Sequence, residues 1–377
     1  MSKKKNSVYD TQEIDINDIP TYTLPEDGSG NRGDIYIGRQ RPNPNQAHPA
    51  PSSPEKKPKK EKKKHPLIKA LIITPLIILA VAFVAIFFFA ASVDYTRENL
   101  EKNEYISSSE LSDSAAVTNI LFIGNDGRTS SEGARSDSMI LVSVDYKHAK
   151  IKLTSFLRDS WVEIPSKGKK AKLNAACAYG GPQLLVDTIE YNFHIDIDHY
   201  VMVNFEMFTQ IIDNLGGVEV EVTDKEARFI RNTTRHKDME SGESVMLDGA
   251  KALVYCRIRK LDSDYMRTMR QRKVITALIN KATETDIQTL FDAINKVFPL
   301  IQTDMNAAEI SAMALKGGFG IIAFDIQQTR APIDDHMKAT TIGGQWVEVL
   351  ELENVREYLH DFIYTNKIDP DETKTEE

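Results

Sequence analysis

Three different periodicities divide the chain. Residues 1–66 alternate nothing: PEDGSG, RPNPNQAHPAPSSPEKKPKK and scarce large apolar side chains give a segment that cannot bury enough surface to offset its ordering entropy. From Ala70 to Val93 the polar positions vanish, in ALIITPLIILAVAFVAIFFFAASV. These 24 uncharged residues reach about 36 Å as a helix, enough for a hydrocarbon core of roughly 30 Å. The run is too long, and starts too far into the chain, for a secretory signal. Beyond it the pattern becomes that of a globular α/β domain. The polar stretch 94–116 reads as a spacer.

TNILFIG (118–124) is an apolar run of strand length, closed by Gly-Asn-Asp-Gly. SMILVSVD (138–145) and AKIKLTSF (149–156) follow as a β-hairpin around Tyr146-Lys147-His148. If Asp145 faces Lys150, paired positions sum to about 295 and Asp137 lies opposite Arg158, so ARSD (134–137) and LRDS (157–160) share one sheet end. GGPQLLVDTIEYNF predicts a helix with Pro182 at its first position. VNFEMFTQIIDNLGGVEVEV predicts a helix capped by Asn204, a stop at Gly216 and a strand. Asp248 caps a short helix through ALVYC, and a long helix runs from Met266 to about Ala282. Helical patterns at 287–301 and 354–364 and a strand at Gln345–Leu350 complete the picture. The expected class is α/β: a mixed β-sheet sandwiched between helices, preceded by one transmembrane helix. The organisation is a cytoplasmic tail (1–66), membrane helix (67–93), spacer (94–116), folded domain (117–365) and loose tail (366–377).

Charge changes the picture in two ways. Seven lysines between Lys56 and Lys64 precede the apolar run, so the N-terminus is expected in the cytoplasm and the domain outside. Residues 1–69 hold 14 Lys and Arg against nine Asp and Glu; with a total of −8, the remainder carries −13. Yet within that acidic part, RIRKLDSDYMRTMRQRK (257–273) gathers Arg257, Arg259, Lys260, Arg267, Arg270, Arg272 and Lys273. An external, acidic domain argues against nucleic acid as the anion they meet. Arg267 and Gln271 lie one turn apart near a helix N-terminus, with Asp264 just before it; Arg257 and Arg259 arrive from the preceding helix. Arginines from separate elements suit a polyphosphate. Arg270, Arg272 and Lys273 are expected as surface charge.

Asp126 and Asp137 stand at strand ends, beside Arg128 and Arg135. Mg²⁺ is commonly held by one or two carboxylates together with substrate phosphates, so a diphosphate bridged by Mg²⁺ would account for both signs of charge. Cys177 and Cys256 are the two cysteines; whether they pair is open, and no CxxC or His/Cys zinc spacing occurs.

NILFIGNDGR, ARSDSMILVSVD, SFLRDSWVEIP, KLNAACAYGG, DNLGGVEVEV and LDGAKALVYCRIR…DYMRTMRQRK, in this order after a single membrane helix, resemble LytR-CpsA-Psr proteins over residues 67–282. The resemblance implies a phosphotransferase that moves a glycopolymer (teichoic acid or capsule-like) from an undecaprenyl diphosphate lipid to peptidoglycan outside the cell membrane, with hydrolysis of the diphosphate lipid as a side activity. It implies Mg²⁺ on Asp126 and Asp137, and a diphosphate held by Arg135, Arg158, Arg257, Arg259, Arg267 and Gln271. Arg158, Asp264 and Arg267 would stand at the chemistry itself. The general base stays open between Asp159 and Asp264. Phe156-Leu157 stands where the family usually has Ile-Pro. A transcriptional regulator and a non-catalytic wall-binding protein are the competing classes.

Overall fold

The structure, a computed structural model, describes residues 91, 95–126, 135–320 and 324–368. The tail 1–66, the expected membrane helix apart from Ala91, Arg128 and the end of the C-terminal tail lie outside them. Among the described residues no helix is long and apolar enough to cross a membrane.

The hairpin read from the sequence forms the centre of a seven-stranded mixed sheet. Its order is β1 (Thr96–Arg97), β10 (Gln302–Thr303), β7 (His199–Asn204), β2 (Val117–Asn125), β3 (Ser136–Asp145), β4 (Lys150–Phe156) and β11 (Asp325–Ala331). β2, β3 and β4 are mutually antiparallel, while β7 and β11 join them in parallel. Asp145 pairs with Lys150 and Ile140 with Ser155, the predicted register. Residues 95–116, read from sequence as a spacer, contribute β1 and a buried Asn103 whose amide donates to Glu190.

Strand alternation sends successive side chains to opposite faces. Leu121, Ile123, Met139 and Leu141 point into one core, under the helices Asn174–Phe193 and Leu352–His360. Ile140, Val142, Ile151 and Leu153 point into another, against Ile275 of the long helix Asp264–Glu284. That helix also presents Val274, Ala277 and Leu278 to a third cluster, built by the ribbon of β8 (Val218–Val222) and β9 (Gly242–Leu247) and the helices Phe205–Asn214, Asp224–Thr233 and Gly249–Cys256. Helices on both faces of a mixed sheet match the expected class.

Local signals act as read. Asn204 Oδ1 accepts from Met207 N at 2.9 Å, and Gly216 turns with φ +79°. The helix before Pro182 is the exception. It begins at Asn174 and breaks at Gly180-Gly181, where Gly181 adopts φ +65°, so Pro182 opens the second half. A second sheet, β12 (Met337–Ile342), β13 (Gln345–Leu350), β5 (Ser160–Ile164) and β6 (Lys169–Lys172), springs directly from the LRDS segment. Leu157 donates its N–H there to Ala331 O at 3.0 Å, a bond that a proline at this position could not make.

Cys177 and Cys256 are both free and buried in separate clusters. Burial pushes each thiol up to about 12.

Candidate functional site

Asp137 owes its position to a bulge. Gly124 pairs with Ser138 and Asn125 with Ser136, which leaves Asp137 unmatched between them. A bulged residue escapes strict alternation and can be re-aimed at a sheet end. Arg158 leaves β4 two residues past its last strand position, so the two meet as the register predicts: Arg158 Nη1 donates to Asp137 Oδ1 at 3.1 Å. Arg259 Nη2 reaches the same oxygen at 2.9 Å.

The long helix supplies the third side. Ser263 caps it, accepting from Met266 N, so Asp264 is its first residue rather than a preceding one. Asp264 and Arg267, one turn apart, pair at 2.8 and 2.9 Å. Arg267 is 2% exposed, and its Nη2 lies 3.5 Å from Asp137 O. One turn further, Gln271 Oε1 accepts from Ser138 Oγ at 3.1 Å. Arg158 bridges the remaining acids, 3.4 Å from Asp159 and 3.5 Å from Asp264. Lys172 holds Asp159 from the other side at 2.6 Å.

The donors outnumber the well-aligned acceptors. Arg158 Nε and Arg267 Nε and Nη1 are buried without an aligned hydrogen-bond partner, although Nη1 sits at ion-pair distance from Asp264. Burial, together with the charges of Arg158 and Arg259, lowers Arg267 to about 10, so it stays cationic at neutral pH. Arg158 Nε lies 3.4 Å from Asp159 Oδ2 without alignment, so buried guanidinium N–H groups with unmet hydrogen-bonding capacity line the cluster, a donor set suited to a multiply charged oxyanion.

Arg158, Arg259, Asp264, Arg267, Gln271 and Asp137 therefore converge as expected. Arg257 does not join them by contact. The short helix ends at Cys256, and Arg257 is exposed with its guanidinium over the Phe205 ring at 4.4 Å. Arg135 is exposed at the start of β3 and makes no ion pair among the described residues. Arg270 and Arg272 overturn the surface-charge expectation, being 1% and 0% exposed. Arg270 meets Glu226 at 2.6 Å and Asp262, and Arg272 donates to Ser155 Oγ at 3.0 Å. The helix runs between two cores, so even its inward polar positions are enclosed. Lys273 alone of the three remains half-exposed, paired with Glu221 at 2.7 Å.

Asp126 follows β2 directly and is exposed. Both guanidinium contacts on Asp137 fall on Oδ1, and no described side chain pairs with Oδ2. Among the described residues no three His, Cys, Asp or Glu side chains form a metal cluster. Two carboxylates at neighbouring strand ends beside the guanidinium cluster are a donor set of the hard-oxygen kind that Mg²⁺ takes, since it keeps waters and binds phosphate oxygens besides one or two carboxylates.

Sequence reasoning missed two residues behind the cluster. Arg330, on β11, is 6% exposed and lies over the Tyr265 ring at 4.4 Å. Glu348, on β13, is 3% exposed and donates its N–H to Asp159 O at 3.1 Å.

A family model, the LytR_cpsA_psr family, matches residues 83–360. A TagU protein of Halalkalibacterium halodurans, a polyisoprenyl-teichoic acid–peptidoglycan teichoic acid transferase, is 39% identical over 189 residues, 49% of this chain and 60% of its own. The match thus spans under two thirds of that relative's length. TagU of Enterococcus faecalis is 31% identical over 285 residues, 73% of this chain and 88% of its own. Among solved structures, TagT bound to LIIa-WTA is similar with a TM-score of 0.58 at 26% identity, covering 71% of this chain and 99% of that chain.

Proposed function

The chain belongs to the LytR_cpsA_psr family, and from that premise we propose that it is a membrane-anchored, extracellular transferase. It moves a glycopolymer from a polyprenyl diphosphate carrier to a peptidoglycan hydroxyl. The observation that carries the reading is the set of buried, unaligned donors on Arg158 and Arg267 beside Asp137. A carboxylate substrate would need one guanidinium fork; a diphosphate uses several. The names of the similar proteins, teichoic acid transferases, support the donor class.

In this reading Arg158, Arg259 and Arg267 exchange part of their hold on Asp137 and Asp264 for the diphosphate oxygens. They then stabilise charge that develops on the leaving phosphate. Gln271 orients an oxygen with a neutral hydrogen bond, while Arg257 and Arg135, at the rim, steer the anion inward. Asp126 and Asp137 would hold Mg²⁺, which neutralises phosphate charge and eases approach of the hydroxyl. The apolar run 70–93, preceded by lysines, would anchor the chain with its domain outside.

A nucleic-acid-binding regulator fits the cluster poorly. Arg158 and Arg267 are recessed and each is tied to acids, unlike an exposed stripe that tracks a phosphate backbone.

The test is turnover of the full chain in detergent with a polyprenyl diphosphate-linked glycopolymer, peptidoglycan and Mg²⁺. Polymer transfer with release of polyprenyl monophosphate is expected, falling on the order of 10²–10³-fold in Arg158→Ala and Asp137→Ala. Undiminished turnover in both variants refutes the site. A C-terminal reporter active only in the cytoplasm refutes the topology.

A further inference from the structure

Attack by a hydroxyl must dispose of one proton, and the carboxylates around the clamp are not equally free to take it. Asp137 Oδ1 accepts from two guanidinium groups. Asp264 is gripped by Arg267 and neighbours Arg158. Asp159 accepts from Lys172 and neighbours Arg158. Each spends lone pairs on fixed cations.

Glu348 differs. β13 runs parallel to β5, with Glu348 opposite Ser160, which brings it against the segment that carries Arg158 and Asp159. It is 3% exposed, and its Oε2 is sealed without a hydrogen-bond donor. An orphan buried carboxyl oxygen is costly, on the order of 1–3 kcal/mol or more for charged groups. The charged groups that face it are Asp159 from the β4–β5 junction, Asp264 from the long helix, and Arg330 and Asp334 from β11 and the turn after it. Burial, then the charges of Asp264 and Asp159, push its carboxyl up to about 7 against the opposing pull of Arg330. A carboxyl tuned to that range can accept a proton near neutral pH and return it.

We propose that Glu348, recessed behind the clamp, takes up the proton of the attacking hydroxyl through an intervening water; the assignment rests on the transfer reaction proposed above. The hydroxyl oxygen bonds to the phosphorus that bears the glycopolymer, and its proton passes to Glu348. The bond from that phosphorus to the bridging oxygen breaks, and polyprenyl phosphate leaves with the electron pair. Glu348 then returns its proton to solvent. Asp159 and Asp264, both open as the base on sequence grounds, become positioning residues for Arg158 and Arg267.

The experiment compares wild type, Glu348→Gln and Glu348→Asp as full chains, measuring transfer against pH and binding of polyprenyl diphosphate by titration. Wild-type kcat/KM should rise with pH through a limb near 7. Glu348→Gln should lose on the order of 10²–10⁴-fold in kcat and lose the limb, with donor binding retained. Glu348→Asp should keep the limb at reduced rate. Transfer by Glu348→Gln at the wild-type rate, or loss of donor binding in step with rate, overturns the assignment alone. A wild-type chain that releases no polyprenyl phosphate overturns the transfer reading and the assignment with it.

Discussion

Arg270→Met separates the buried charges of the long helix from its ligand-facing ones. Arg270 is 1% exposed; its Nε meets Glu226 at 2.6 Å, Nη1 meets Asp262 at 3.1 Å and Nη2 closes the fork on Asp262. Methionine fills similar volume but leaves Glu226, 5% exposed, without its counter-charge. Glu226 cannot swing to water cheaply, because its Oε2 accepts from Thr223 N and Thr223 Oγ, both at 2.8 Å, and so caps the helix Asp224–Thr233. Breaking a buried pair by removing one partner costs about 3–5 kcal/mol, a fall in melting midpoint on the order of 10 °C for a domain of this size. Urea unfolding of the full chain in detergent reads the loss. Adding Glu226→Gln should recover part of it, with a coupling of roughly 0.5–3 kcal/mol. Arg270 Nη1 also lies 3.4 Å from Ile258 O, so the segment that carries Arg259 should loosen and donor KM should rise. A stability within about 1 kcal/mol of wild type, the scale of an exposed pair, refutes the argument that Arg270 is an enclosed structural cation.

Gln271→Ala removes one neutral hydrogen bond at the clamp and should raise donor KM about 3–10-fold with little change in kcat, as a bond worth roughly 1 kcal/mol predicts; a kcat loss as large as that of Arg158→Ala contradicts its orienting role. Chelation should abolish transfer, and Asp126→Asn should raise the Mg²⁺ concentration needed for half-maximal rate by about tenfold or more; equal titration curves remove Asp126 from the metal. Burial raises Glu190 to about 7. The folded state then holds its proton more tightly than the unfolded state, so stability is highest below the unfolded value of 4.5 and declines as pH climbs towards 7; Glu190→Gln should flatten that decline in pH-resolved urea melts, and an unchanged slope contradicts it. Cys177 and Cys256, both pushed up to about 12, should ignore thiol reagents at pH 8 until urea unfolds the chain; labelling of the native chain contradicts their burial.

What was legible depended on how local each determinant is. The hairpin turn fixes a register, and the register alone brought Asp137 to Arg158. Helical spacing likewise put Gln271 one turn above Arg267. Arg270 and Arg272 were not legible, because periodicity reports one apolar face, whereas the helix Asp264–Glu284 is enclosed by two clusters that come from distant parts of the chain. Glu348 escaped for a similar reason. In QWVEVL a glutamate between valines reads as the wet side of an edge strand, but β13 is an inner strand between β12 and β5. Residues 95–116 looked like a spacer because a two-residue strand and one buried Asn103 leave no periodic trace.

The same helix has a kinetic consequence. Its guanidinium groups are bolted outward to β3, to Glu226 and to Ser155 in three directions, and a turn of it cannot slide without releasing all of them. A hinge or shear of that helix is therefore too expensive to accompany each catalytic cycle. In the proposed reaction the helix backbone therefore holds its place while guanidinium groups trade acid partners for diphosphate oxygens, and the slow events of turnover are expected in the entry and exit of the carrier lipid.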